Sequence, residues 1–264
     1  MQRSPLSLFC TGCISLSFGG LLSGCFGVSS TSGPIPSPSP TVSAGSPSLP
    51  PSLQATAPTA TPPAKIVEIF QQPVFVKRSQ ASQEVAGKTG MGLQVGETVR
   101  TKGQALAQIN LKNGLGFRIG RNASLTIQPD NKLNFTSGEM ITWVEPGKKV
   151  PAQIVTPTAV AGIRGTTVFV KVPEDVNGET TFFAWEGTVS VRLPNNPTEI
   201  ILNTGEEVQI RRGERDIAQV RRRIRRFRRQ EMILRRRDSL LFRNFQQPLP
   251  THQIIEQAIR QRRQ

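Results

Sequence analysis

The residues able to do chemistry are few and unevenly placed. Three cysteines, Cys10, Cys13 and Cys25, all fall within the first 25 residues, the single histidine, His252, lies near the C-terminus, and there is no tyrosine. The body therefore has no disulfide framework, thiol nucleophile or Cys-ligated zinc site. A triad that used histidine would need that one tail residue. The body carboxylates are scattered, from Glu68, Glu84 and Glu97 through Asp130, Glu139 and Glu145 to Glu174, Asp175, Glu179, Glu186, Glu199, Glu206 and Glu207. Glycoside hydrolysis needs two held at a defined separation, and nothing in this spacing selects a pair. Glu174-Asp175 and Glu206-Glu207 read as solvated turn residues, because strand neighbours point to opposite faces. No His/Asp/Glu group has metal-ligand spacing, and no G-x-S-x-G elbow occurs. The Gly87-Lys88-Thr89 triplet has Ser82 where a phosphate loop needs its first glycine. The expectation is a protein that is not an enzyme, with no cofactor and no metal site.

The charged chemistry is almost all arginine, at one end. The chain of 264 residues carries a net +15; residues 211–264 hold 17 basic groups, every one arginine, against 5 acids, and the rest of the chain is near neutral. Such asymmetry implies an anionic partner for the tail. Glu214–Phe245 lacks proline and glycine and predicts a helix, with Ile217, Val220, Ile224, Phe227, Glu231, Leu234, Asp238, Leu241 and Phe245 at alternating steps of three and four, an apolar seam broken by two acids. Within it Arg221/Arg225, Arg222/Arg226 and Arg225/Arg229 are four apart, and each pair costs roughly 0.2–0.5 kcal/mol of repulsion. An anionic partner, or Glu231 and Asp238 folding back, would relieve it. The candidate anion-binding set is Arg221, Arg222, Arg223, Arg225, Arg226, Arg228, Arg229, Arg235, Arg236 and Arg237. The partner expected first is an anionic envelope surface, lipid phosphate or lipopolysaccharide, because guanidinium forks suit phosphate. An envelope protein or self-association through the seam comes second. Nucleic acid comes last, since an export signal removes the opportunity. The competing reading is a basic helix packed on the body with a solvated outer face.

The elements that place these residues follow in order along the chain. Residues 1–25 read as an export signal with a mostly apolar run from Leu6 to Leu22. It ends in Leu22-Ser23-Gly24-Cys25, which resembles a bacterial lipobox. The resemblance implies cleavage before Cys25, acylation of that residue, and an extracytoplasmic, lipid-anchored protein of the bacterial envelope. Residues 26–64 form a spacer; Ser29–Ala64 has ten prolines, nine serines, five threonines and no charge, so it cannot bury enough surface to order itself. As extended polyproline it reaches roughly 110 Å at about 3.1 Å per residue.

Residues 65–212 change to short apolar–polar alternation with turn signals such as Asn113-Gly114, Asp130-Asn131 and Asn195-Asn196. That is an all-β pattern, a twisted solenoid or sandwich, followed by the basic helical tail over residues 213–264. Phe117, Phe135, Trp143, Phe169, Phe182 and Trp185 are its expected aromatic core. Four stretches then resemble FecR-like domains: Asn113–Ile127, Thr156–Val170 with its Arg164-Gly165-Thr166, Trp185–Val191 and Asn203–Val208. The resemblance implies a β domain that serves in sensing or protein interaction outside the cytoplasm. Founding members reach a sigma factor through a cytoplasmic segment and a spanning helix. An export signal stands there in this sequence, so a direct anti-sigma role is not carried over.

Within the family motif, Gly162 and Gly165 read as tight turns. Arg164 has two readings: pairing inside the fold, which the absence of a neighbouring basic or aromatic cluster favours, or projecting toward an anionic ligand; Thr166 is read as structural. The function expected is a non-enzymatic envelope scaffold for interaction or sensing, with the tail docked on an anionic partner. The alternative is a ligand or protein sensor with a purely structural tail.

Overall fold

The computed structural model describes residues 63–175 and 177–262. The stretch expected to be an export signal, with Cys25, and all but the last two residues of the expected spacer lie outside the described residues.

The alternating segments form strands β1 (Ala64–Phe70), β2 (Val74–Lys77), β3 (Glu84–Ala86), β4 (Gly92–Leu93), β5 (Thr98–Thr101), β6 (Leu106–Leu111), β7 (Leu115–Gln128) and β8 (Lys132–Val144). They continue as β9 (Pro151–Val155), β10 (Val160–Arg164), β11 (Thr167–Val172), β12 (Thr180–Glu186), β13 (Thr188–Arg192), β14 (Glu199–Asn203), β15 (Glu206–Ile210) and β16 (Arg225–Arg226). Four helices, α1 (Ile217–Arg222), α2 (Arg229–Asp238), α3 (Leu240–Arg243) and α4 (His252–Gln261), make up the rest of the described tail.

The strands form an open, mixed sheet that folds over itself. The hairpin of β7 and β8 is long enough to serve in two layers. Its register breaks between Gly120 and Leu125, where Arg121 and Asn122 have positive φ. Beyond the break, the chain turns from one layer into the other. Layer one runs β4-β1-β6-β7-β8-β11-β12-β15-β16, and layer two runs β3-β2-β5-β7-β8-β9-β10-β13-β14. The β8–β9 pair is parallel, and all other pairings are antiparallel. Side chains from both layers meet in one core, with Ile66, Phe117, Val170 and Phe182 from layer one and Val99, Leu125, Ile154 and Val189 from layer two.

Layer one is apolar on its other face too. Leu106, Ile141, Trp143, Phe169, Phe183 and Trp185 point away from the core between the layers. Strand β12 reads Thr-Thr-Phe-Phe-Ala-Trp-Glu and is buried along its whole length, the signature of a strand covered on both faces. Its cover is the tail, through Phe227, Met232, Leu241, Phe245, Leu249, Ile255 and Ile259. The architecture is therefore sandwich-like, with the helical tail as a third layer over one face. All six expected aromatics are buried.

The continuous helix expected over Glu214–Phe245 is not formed. It is interrupted by Arg223–Arg228, where Arg225 and Arg226 become a short strand against β15. The break falls among the residues whose four-residue spacing repels. An extended chain there separates the guanidinium groups, and Arg223, Arg225 and Arg226 each reach a carboxylate.

Candidate functional site

Two arrangements of charged residues stand out, one holding the tail on layer one and one on the outer face of layer two.

The first centres on Arg118, which β7 points outward from layer one between Gly116 and Gly120. Its side chain is 0% exposed. Its Nε donates to Gln108 Oε1 at 2.8 Å and its Nη1 to the Leu241 carbonyl at 2.9 Å. Its Nη2 donates to the Gln247 carbonyl, and the Phe245 ring lies 4.1 Å from the guanidinium carbon. Glu68 adds a nearby negative charge, and its carboxylate accepts from the Gln246 backbone N–H at 2.9 Å. Burial pulls the guanidinium down to about 10, against the opposing pull of Glu68. Carbonyls of α3 and of the segment that follows it thus close over a cation that the sheet supplies.

Arg235 is a second pin, pointing the other way. It comes from α2, pairs with Glu207 of β15, and lies 4.3 Å from the Phe183 ring and 5.1 Å from both Phe169 and Phe227. Arg226 pairs with Glu206 at 2.6 Å. Glu206 and Glu207 are 5% and 7% exposed, which corrects their expected place as solvated turn residues. They lie on β15, and the arginines that neutralise them come from the tail. Burial pushes the Glu206 carboxyl up, but hydrogen bonds from the Asn203 backbone and Arg226 outweigh it and hold it below the ordinary range. Glu186 goes the other way: burial raises it, against the hydrogen bond it accepts from Thr167, whose hydroxyl also meets Thr251 at 2.7 Å.

The ten arginines expected to meet an anionic partner are divided by the fold. Arg223 pairs with Glu214, Arg225 with Glu231, Arg236 with Glu256 and Arg237 with Asp238, and Arg226 and Arg235 are engaged as above. Arg221 donates to the Glu199 carbonyl at 3.0 Å. That leaves Arg222 and Arg229 without a partner among the described residues, and Arg228 with only the field of Glu231 and a hydrogen bond from its backbone N–H to that carboxylate. Arg118 was missed from sequence, although an arginine inside the apolar run Leu-Gly-Phe-Arg-Ile-Gly was a visible signal.

The second arrangement involves the family motif. The chain leaves layer two at the end of β10 and enters layer one at β11. Gly165 makes this crossing with φ +70°, a conformation open to glycine and strained for residues with a Cβ. Thr166, 3% exposed, follows it. Gly162 is not in a turn, as expected from sequence, but in mid-strand opposite Ser190. Arg164 is exposed and its guanidinium has no partner among the described residues, so the expected pairing inside the fold is not made. It borders a groove of about 860 Å³ on the outer face of layer two, lined also by Gln153, Gly162, Thr188, Ser190 and Arg192.

Among the described residues no group of His, Cys, Asp and Glu is placed to hold a metal ion, and no helix is long and apolar enough to cross a membrane. No curated protein sequence matches the chain. Two crystal structures of a candidate anti-sigma factor from Parabacteroides distasonis are similar at 17% identity. One has a TM-score of 0.35 over 42% of this chain and 53% of that chain, and the other 0.37 over 45% and 56%. The chain thus spans about half the length of those structures. The model of the FecR protein family matches residues 97–190, from just before β5 to β13, which takes in the Arg-Gly-Thr crossing and leaves out the tail. Residues 97–190 are thus the part of the chain that is similar to the FecR protein family.

Proposed function

We propose that this protein is a non-enzymatic scaffold for interaction or sensing in the bacterial cell envelope, anchored by an acylated Cys25. The family match over residues 97–190 carries this reading, because proteins of this family are envelope-associated and regulatory. Cys25 at the end of the apolar run supports the anchor. Cys25→Ser should move the protein out of the membrane fraction; retention of that variant after a carbonate wash contradicts the anchor.

The tail serves first as a layer of the domain. Its docking on an anionic surface falls to Arg222, Arg228 and Arg229, the members of the expected set whose guanidinium groups make neither an ion pair nor a hydrogen bond among the described residues. The pairing of the other arginines favours the second reading, a sensor whose tail is purely structural. Vesicle sedimentation separates the two, using the Cys25→Ser chain and phosphatidylglycerol vesicles. Docking predicts binding that falls steeply with salt and is lost when the three are changed together to glutamine. Binding that is absent, or indifferent to the triple change, leaves the tail structural.

A further inference from the structure

We infer that the groove on the outer face of layer two is a binding site for an acidic oligosaccharide, a chain of sugars carrying carboxylates. The register fixes its shape. Gln153, Gly162, Ser190 and Ile201 lie in one row across β9, β10, β13 and β14. Arg164 lies one row to one side, opposite Pro151, and Arg192 one row to the other, opposite Val160 and Glu199. The two arginines are four residues apart along the strands and one strand apart, so their Cα atoms are separated by roughly 14 Å at about 3.3 Å per residue and about 4.8 Å per strand. Between them the floor is flat, because Gly162 has no side chain; a Cβ there would lie 2.7 Å from Ser190 Oγ.

The cations are available. Arg164 has no partner among the described residues, and Arg192 approaches Glu199 only at 3.8 Å, with both side chains more than 40% exposed. Such a pair contributes little and is readily exchanged. Thr166, which also lines the groove, has a buried hydroxyl with no hydrogen-bond partner, a buried polar group that calls for one. Of the remaining lining, Gln153, Thr188, Ser190 and Asn131 offer amides and hydroxyls, while Asp130 and Glu199 add carboxylates.

The ligand that fits carries anionic groups spaced along a chain, with hydroxyls between them. A peptide is the poorer fit. Recognition of its main chain draws on free backbone groups at a sheet edge, whereas β10 lies between β9 and β13 and its ladders are made on both sides. The arginines then take carboxylates as bidentate forks.

Titration of the full chain with tetragalacturonate, followed by calorimetry, tests this. Binding is expected, with methyl-esterified tetragalacturonate failing to bind. Arg164→Gln and Arg192→Gln are each expected to weaken it at least tenfold without shifting the melting temperature, since both side chains are exposed. The triple change at Arg222, Arg228 and Arg229 is expected to leave it intact. No binding at millimolar tetragalacturonate, binding insensitive to Arg164→Gln, or equal binding of tetraglutamate would overturn the assignment.

Discussion

Two buried carboxylates, Glu206 and Glu186, are held in opposite directions, and the difference is a matter of partners. Glu206 accepts from Asn203 and Arg226, so its charged form is favoured in the fold. A depressed carboxyl contributes stability that is present above the ordinary value of about 4.3 and is lost as pH falls through the folded value. Glu186 has no cation beside it, only the hydroxyl and backbone N–H of Thr167, which burial outweighs, and its raised carboxyl contributes stability that is present below about 4.3 and is lost as pH rises. Glu206→Gln should therefore lower the melting temperature at neutral pH, and the gap should close as the solution is acidified toward pH 3. Glu186→Gln should raise it at neutral pH, with that gap also closing in acid. Thermal melts across the range check both signs. Arg118 is the third test at this scale. Arg118→Met strands the Leu241 and Gln247 carbonyls and should cost about 2–5 kcal/mol of unfolding free energy, at about 1–3 kcal/mol for each buried group left unpaired. Arg222→Met should stay within about 0.5 kcal/mol, as an unpartnered surface change does. Urea unfolding distinguishes the two arginines.

At the scale of the element, the strands were legible because their period is local. Alternation located nearly all of them. The short β3 and β4 escaped, and so did β10, whose Gly162 read as a turn. The tail was misread for a physical reason. Helical period and the absence of proline describe what residues 214–245 could do alone. What they do is set by Glu206, Glu207 and the aromatic face of layer one, which are distant in sequence; Arg118 bonds to carbonyls 123 and 129 residues away. One warning was local: the repulsion among Arg221, Arg225 and Arg229 fell where the helix breaks. The consequence for the tail as an element is direct. A chain ending at Gly213 should expose Trp143, Phe169, Phe183 and Trp185 together, a patch of the size that marks interaction or aggregation. It should bind a hydrophobic dye strongly or precipitate. A soluble, dye-silent truncation with an unchanged melting temperature would mean that layer one needs no cover.

At the scale of the whole molecule, the +15 charge has two uses that composition could not separate. Most of the ten arginines of the candidate set neutralise acids of the body or of the tail itself, and their charge belongs to the fold. A few remain outside it and are free to meet a membrane or another anion. The FecR match over residues 97–190 stops short of the tail, yet layer one of that same domain is completed by it. The central claim is thus that domain and tail open as one unit. Amide hydrogen exchange on the full chain measures this most directly. The account predicts that backbone amides in α2 and α4 are protected and become exposed together with those of β11 and β12, as members of one cooperative unit do. Rapid exchange throughout residues 214–262, with β11 and β12 still protected, would contradict it.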